Sequence, residues 1–313
     1  VAGGALNLGG PAFGILSAVS WGTGDFGGGL ISRYSSALTG VATSEGVGLI
    51  ASVLIAIVAG EPLPSAGSFE WSLAAGVAGV IGLGAFYYAL SRGTMGVVAP
   101  LAALIGAGLP VVVGLAAGEE LDLSRGVGMT VALVAVVLIS LPGGEKTIDE
   151  RRLVRIDIGQ LPFVVTSGLG FGVFFISLDE ATTAGEMWWP LVIVRLVGLA
   201  LIGVAIVVGV SRGRQRTWRS RTEAVLGLAK LRARRVALPM LALLVLVTGA
   251  GDLGGNTFFV LAARTDALSV AVVLSSLYPV VTTVLAAIFL RERLRPAQLV
   301  GVVLASLSVP LLR

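Results

Sequence analysis

Four ionisable side chains, Asp25, Glu45, Arg195 and Asp252, lie inside stretches of sequence that are otherwise apolar. A charge held in hydrocarbon costs at least about 2.5–3.5 kcal/mol on insertion scales, so each needs an opposite charge or a water-filled cavity. Function is therefore the default reading of all four. Glu45 and Arg195 are an acid and a base that pair if their segments meet. Asp25 in WGTGDFGGG and Asp252 in GAGDLGGN are surrounded by glycines, which leave backbone exposed and make room for a ligand beside the carboxylate. With one carboxylate assigned to Arg195, two remain without a cationic partner and are suited to carrying a proton or holding a cation. A second chemistry draws on the same residues. Gly-x-Gly-Asp occurs at Gly22–Asp25 and again at Gly249–Asp252, and an intramembrane aspartyl protease needs two membrane aspartates sharing one proton. The Tyr-Asp partner motif of such proteases is absent from the chain.

Around these charges stand residues suited to lining a cavity: Trp21, Tyr87, Tyr88, Asn256, Phe258, Ser275 and Tyr278. Aromatic faces receive cationic or aromatic solutes, although packing is the commoner fate of such side chains. Pro100, Pro110 and Pro279 are candidate helix hinges, because an intramembrane proline frees a carbonyl and bends its helix. The chain has no Cys and no His, which removes thiol chemistry, His proton relays and nearly every zinc site. There is no Walker A motif, no G-x-S-x-G elbow and no metal-ligand cluster. An enzyme is not expected, and neither is a cofactor or a metal.

The elements that must position these residues are membrane spans. Hydrophobic residues make up 56% of the chain and charged residues 13%, against roughly 25% charge in soluble domains. Apolar windows fall near 12–31, 38–60, 71–90, 95–117 and 126–142, then 159–178, 187–210, 237–262, 268–290 and 297–312. Each is long enough, or nearly so, to cross a core of about 30 Å. Backbone groups in hydrocarbon must be satisfied within the segment, so the windows read as helices. Solid apolar runs do not fit the alternation of a β-barrel. The expected fold is an all-α integral membrane protein with ten transmembrane helices. The first window lacks the positive leader of a cleavable signal and is expected to stay as an anchor.

Lys and Arg set the expected orientation. Loops after the odd-numbered spans carry 18 of them, including nine between Arg212 and Arg235, and the opposite side carries Arg125, Arg264 and Arg313. The odd loops are thus expected in the cytoplasm of a cell (inner or plasma) membrane, with both termini outside. The basic loop 211–235 has capping-box spacing at Ser220 and Glu223 and places Ala224, Leu228 and Leu231 on one helical face. It reads either as a surface helix on the anionic leaflet, with Trp218 at the headgroups, or as a topological stop signal. It lacks a nucleic-acid-binding fold. Trp188 and Trp189 fit an interfacial aromatic belt.

The two halves resemble each other. GVIGLGAFYYALSRG (79–93) aligns with GDLGGNTFFVLAART (251–265), matching Gly79, Gly82, Phe86 and Arg92 to Gly251, Gly254, Phe258 and Arg264. EELDLSRGVG (119–128) meets ERLRPAQLVG (292–301), and EGVGLI (45–50) lies over RLVGLA (195–200). Two copies of a five-span unit must sit in the membrane inverted relative to each other. That arrangement belongs to secondary transporters, with the site near the midplane between the repeats. It also brings Glu45 and Arg195 to matching positions, face to face across a pseudo-twofold axis.

This pattern resembles the EamA-type carriers of the drug/metabolite transporter superfamily. The resemblance is carried by the span 3–4 pair of each half and by the short hinges Gly118-Glu119-Glu120-Leu121 and Arg291-Glu292-Arg293-Leu294. Trp21-Gly22 and Leu277-Tyr278-Pro279 add to it. Arg195 looks like the Arg that many relatives carry in span 7, whereas span 2 has Glu45 at the equivalent place. The resemblance implies a first repeat over 1–145, a cytoplasmic linker over 146–157 and a second repeat over 158–313. It implies a central cavity and alternating-access transport of a small-molecule substrate, with efflux of amino-acid-like, cationic or drug-like solutes and possible proton coupling. A monomer or homodimer in the lipid bilayer is expected, without nucleic acid. A non-transporting membrane scaffold or sensor is the other alternative to the protease.

Overall fold

The computed structural model describes residues 9–92, 95–119, 122–139, 161–212, 217–228, 237–290 and 294–312. Among the described residues the chain is all helix and coil, without strands. Twelve helices follow in order: α1 (Gly10–Tyr34), α2 (Ala37–Ala59), α3 (Ala66–Arg92), α4 (Met95–Ala116), α5 (Leu123–Ile139), α6 (Leu161–Thr182), α7 (Trp188–Ser211), α8 (Trp218–Val225), α9 (Leu238–Thr265), α10 (Leu268–Ser275), α11 (Tyr278–Phe289) and α12 (Pro296–Leu311). A helix therefore occupies each apolar window, and the ninth window is divided between α10 and α11.

Among the described residues, six stretches are long and apolar enough to cross a membrane: Leu38–Ala59, Ala66–Phe86, Leu161–Thr182, Trp188–Ser211, Leu238–Thr265 and Leu268–Phe289. Leu101–Ala116, Leu123–Ile139 and Pro296–Leu311 are shorter apolar helices. α1 has the length, at 25 residues, but its glycines, hydroxyls and Asp25 dilute its apolar character. The expected linker 146–157 lies outside the described residues, as do 213–216 and 229–235 of the basic loop.

Local chemistry explains several boundaries. Ser36 caps α2 by accepting from the Thr39 amide, and Gly60 closes the same helix at φ 61°, a left-handed conformation that glycine adopts without cost. Proline opens α1, α9, α11 and α12, where its missing N–H leaves no bond unmade. The basic loop departs from expectation. Its helix α8 starts one turn earlier, with Thr217 as the cap and Ser220 as the reciprocal partner. Ser220 does not serve as the cap because the Thr217 hydroxyl already holds its amide at 3.2 Å.

Packing is backbone-close, as expected where small residues bring membrane helices together. α1 lies along α9, α3 along α6, α2 along α7, and α5 along α12. A methyl group on Gly251 would lie 2.6 Å from the Gly24 nitrogen, so α1 and α9 touch backbone to backbone. One on Gly170 would lie 2.7 Å from the Gly82 Cα, which joins α6 to α3 in the same way. Gln298 ties α12 to α5 by donating to the Ile139 carbonyl at 3.1 Å.

The two ends of the bundle differ in charge and closure. At the acidic end, the Glu61 carboxylate accepts from the Met187, Trp188 and Trp189 amides at 2.7, 2.8 and 2.9 Å, completing the first turn of α7. The Trp189 indole donates to the Glu61 carbonyl. Arg264 donates to the carbonyls of Thr182 and Glu186, and Arg125 pairs with Asp266 at 3.3 Å. Every residue of α10 after Leu268 is buried, and the helix lies toward this end. Toward the basic end none of α11 is buried.

Candidate functional site

Gly48 of α2 and Gly198 of α7 form the floor on which the central charges rest. A methyl on Gly48 would stand 3.0 Å from Nε of Arg195, and a methyl on Gly198 would stand 3.0 Å from Cδ of Glu45. The absence of a side chain on each helix makes room for the charged side chain of the other. Arg195 is 3% exposed. Its Nη1 donates to Oε2 of Glu45 at 3.1 Å and to Oδ2 of Asp252 on α9. The Ser44 hydroxyl donates to that same Asp252 oxygen at 3.0 Å. The Nε and Nη2 atoms of Arg195 are buried without a hydrogen-bond partner.

The structure thus brings Glu45, Arg195 and Asp252 together. It corrects one expectation: Arg195 serves two carboxylates, because α9 crosses close enough to α2 for Asp252 to reach the guanidinium. Among the described residues, Asp25 is left as the membrane carboxylate of this group without a cation. It follows Gly24, whose crossing with Gly251 sets the two aspartates on adjoining helices. Its side chain is exposed although it faces the bundle.

Trp21 lies one helical turn from Asp25 and is buried among aromatic rings. Its ring centroid is 5.7 Å from Phe175, 6.0 Å from Phe259 and 6.5 Å from Tyr278. Trp21 and Tyr278 therefore belong to one aromatic cluster beside Asp25. Phe258 stacks instead on Phe13 toward the start of α1, and its neighbour Phe259 packs on Trp21. The side chains of Tyr87, Tyr88 and Pro100 lie outside the described positions. Asn256 is buried one turn beyond Asp252, with Nδ2 donating to the Asp252 carbonyl at 2.9 Å and Oδ1 unpartnered. Ser275 is fully buried at the end of α10, with an unpartnered hydroxyl. Pro110 sits within the continuous helix α4, whereas Pro279 opens α11 just after the break in the ninth window.

Sequence reasoning passed over Ser44, Gly48, Gly198 and Glu61. Ser44 was signalled by its place beside Glu45. The two glycines were visible as one matched position of the EGVGLI and RLVGLA segments. Nothing local in the sequence singled out Glu61, because its partners lie more than a hundred residues along the chain.

The acid–base cluster thus lies on crossing glycine-rich helices, in a bundle with helices long and apolar enough to cross a membrane. The profile of the EamA-like transporter family matches residues 8–141. The first part of the chain is therefore similar to that family. The family so matched is described as one of transporters. A solved structure described only as a crystal structure of a protein covers 96% of this chain and 95% of its own length. It is 14% identical, with a TM-score of 0.68. That likeness is one of fold. No curated protein matches the chain.

Proposed function

We propose that this protein is a secondary active transporter that moves small metabolites out of the cell by alternating access, with coupling to a proton or another cation. The proposal rests on one observation. Two carboxylates, Glu45 and Asp252, share one guanidinium, and a third, Asp25, lies within electrostatic reach of Asp252 without a cation among the described residues. A cluster short of positive charge in a low-dielectric setting attracts a proton or a cationic solute.

The proposed architecture is ten spans in two inverted halves, 1–145 and 158–313, working as a monomer or homodimer. Reciprocal contacts support it. Arg195 over Gly48 mirrors Glu45 over Gly198, as in an isologous interface. Gly22 meets Val281 as Gly172 meets Leu109, and Gly128 meets Leu312 as Gly301 meets Ile139. The pairs α1–α9 and α6–α3 exchange under the same operation. The balance of Lys and Arg favours a cytoplasmic basic end, with both termini outside. Substrates in this reading are amino-acid-like, cationic or drug-like solutes.

The test compares cells expressing the wild type with cells expressing Asp25→Asn/Asp252→Asn at matched levels, by untargeted measurement of small molecules inside and outside. A solute that moves to the medium only with the wild type establishes export and names its class. A solute that accumulates inside would reverse the direction. Identical profiles, repeated in proteoliposomes loaded with cell extract, would sink the transport reading.

A further inference from the structure

On α1, Trp21, Asp25 and Gly29 follow one another at four-residue spacing and share a face. Trp21 is buried among Phe175, Phe259 and Tyr278, so this face points into the bundle. One and two turns nearer the basic end, Asp25 and Gly29 are exposed, and among the described residues nothing lies within 4 Å of a methyl group placed on Gly29. Accessible surface on this face therefore begins one turn below Trp21 and continues toward the basic end. The acidic end above it is sealed by α10 and by the bonds of Glu61, Arg264 and Arg125.

The polar atoms near this surface are acceptors. Asp252 gives its Oδ2 to both Arg195 and Ser44, leaving Oδ1 with only the Asn256 amide at 3.5 Å. Asn256 is 3% exposed, and its Oδ1 has no partner. An orphaned acceptor buried in the wall of a site needs a donor to explain it. No hydrogen bond or ion pair engages the Asp25 carboxylate among the described residues, and Asp25 lies within electrostatic reach of Asp252.

From this we infer that Asp25, Asp252 and Asn256 form a subsite for the primary ammonium group of an amine with an aromatic or apolar body, entered from the basic end. A primary ammonium carries three N–H donors, and three acceptors await it: the Asp25 carboxylate, Oδ1 of Asp252 and Oδ1 of Asn256. A quaternary ammonium has the charge but no donor, and leaves the Asn256 oxygen unsatisfied. The body of the amine lies beneath the Trp21 ring, whose face favours a cation or a π-system. This inference rests on the transport reading above and adds the class of solute.

Binding of radiolabelled 2-phenylethylamine to the purified full-length chain tests it, with its N,N,N-trimethyl analogue as competitor. The primary amine is expected to bind saturably and at least tenfold more tightly than the quaternary one. Asp25→Asn should weaken it at least tenfold with an unchanged melting temperature. Asn256→Leu should narrow the gap between the two amines. Equal affinity for both amines would overturn the subsite, as would an Asp25→Asn protein that binds like the wild type. Flux is measured separately in proteoliposomes. Amine binding without flux of any solute would sink the transport reading and keep the subsite. Asp25-dependent flux of other solutes without amine binding would do the opposite.

Discussion

Arg195 rests on Gly48: the guanidinium of α7 occupies the space that a side chain on α2 would fill, with Nε 3.0 Å from where a methyl would stand. Glu45 occupies the matching space over Gly198. The charges can meet because each faces a glycine on the opposite helix, so the two glycines belong to the electrostatics as much as to the packing.

Enlarging either glycine should therefore act through the ion pair. Gly48→Ala must shift the guanidinium by a few tenths of an ångström and should lower transport several-fold. Gly48→Val should abolish transport and lower the melting temperature in detergent. Gly46, on the same helix and with no described atom within 4 Å of an added methyl, should accept alanine without effect. A Gly48→Val protein that transports normally would mean that the Arg195–Glu45 pairing does not matter.

Asp25 and Asp252 should separate stability from coupling. Asp252 shares Arg195, so Asp252→Asn leaves the guanidinium with Glu45 alone and should lower both the melting temperature and transport. Asp25 has no such partner, so Asp25→Asn should melt like the wild type and lose the response of solute flux to an imposed pH gradient. Proteoliposome flux with and without the gradient reads the difference. Equal loss of stability in both variants would contradict the separation.

Arg195 is the cation common to two carboxylates, and its removal leaves uncompensated charge. Breaking a buried ion pair from one side costs about 3–5 kcal/mol, so Arg195→Met should yield little folded protein. Glu45→Gln/Arg195→Met/Asp252→Asn removes all three charges and should recover much of the fold without recovering transport. Size-exclusion yield and melting temperature measure the first part, and flux measures the second. Failure of the triple variant to recover folded protein would show that the cluster holds the helices in place by shape rather than by charge.

The fold was legible because apolar windows and helices follow from the same constraint, namely that backbone groups in hydrocarbon bond within their segment. The Glu45–Arg195 meeting was legible from the matched segments around them. The sharing of Arg195 with Asp252 was not. It depends on the Gly24–Gly251 crossing, where two glycines far apart in sequence set α1 on α9, and single-sequence spacing carries no sign of that. The choice of Phe259 over Phe258 as the inner ring was equally hidden, since neighbouring phenylalanines differ only in helical phase. Capping by Glu61 needed a partner more than a hundred residues away.

Glu61 gives a prediction at the sealed end. It accepts three amides at the start of α7, a charge-assisted cap at the positive end of a helix. Glu61→Ala should cost about 1–2 kcal/mol and lower the melting temperature, while Glu61→Asp should recover part of the loss. Glu70, exposed near the same end, should tolerate alanine. A Glu61→Ala protein as stable as the wild type would mean that water replaces the carboxylate at no cost.

Closure at one end and openness at the other can be read with thiol chemistry, for which the chain is suited because it has no cysteine of its own. Gly29→Cys places a thiol on the accessible surface below Asp25, and Ser275→Cys places one in the buried helix α10. A membrane-impermeant maleimide applied from the basic side should label the first quickly and the second slowly. If the basic end is cytoplasmic, as the Lys and Arg distribution favours, labelling of Gly29→Cys should need inside-out vesicles and be weak in intact cells. A solute bound there should protect that thiol. Rapid labelling of Gly29→Cys in intact cells would reverse the orientation, and equal labelling of the two thiols from the basic side would mean that the acidic-end seal does not hold in the membrane.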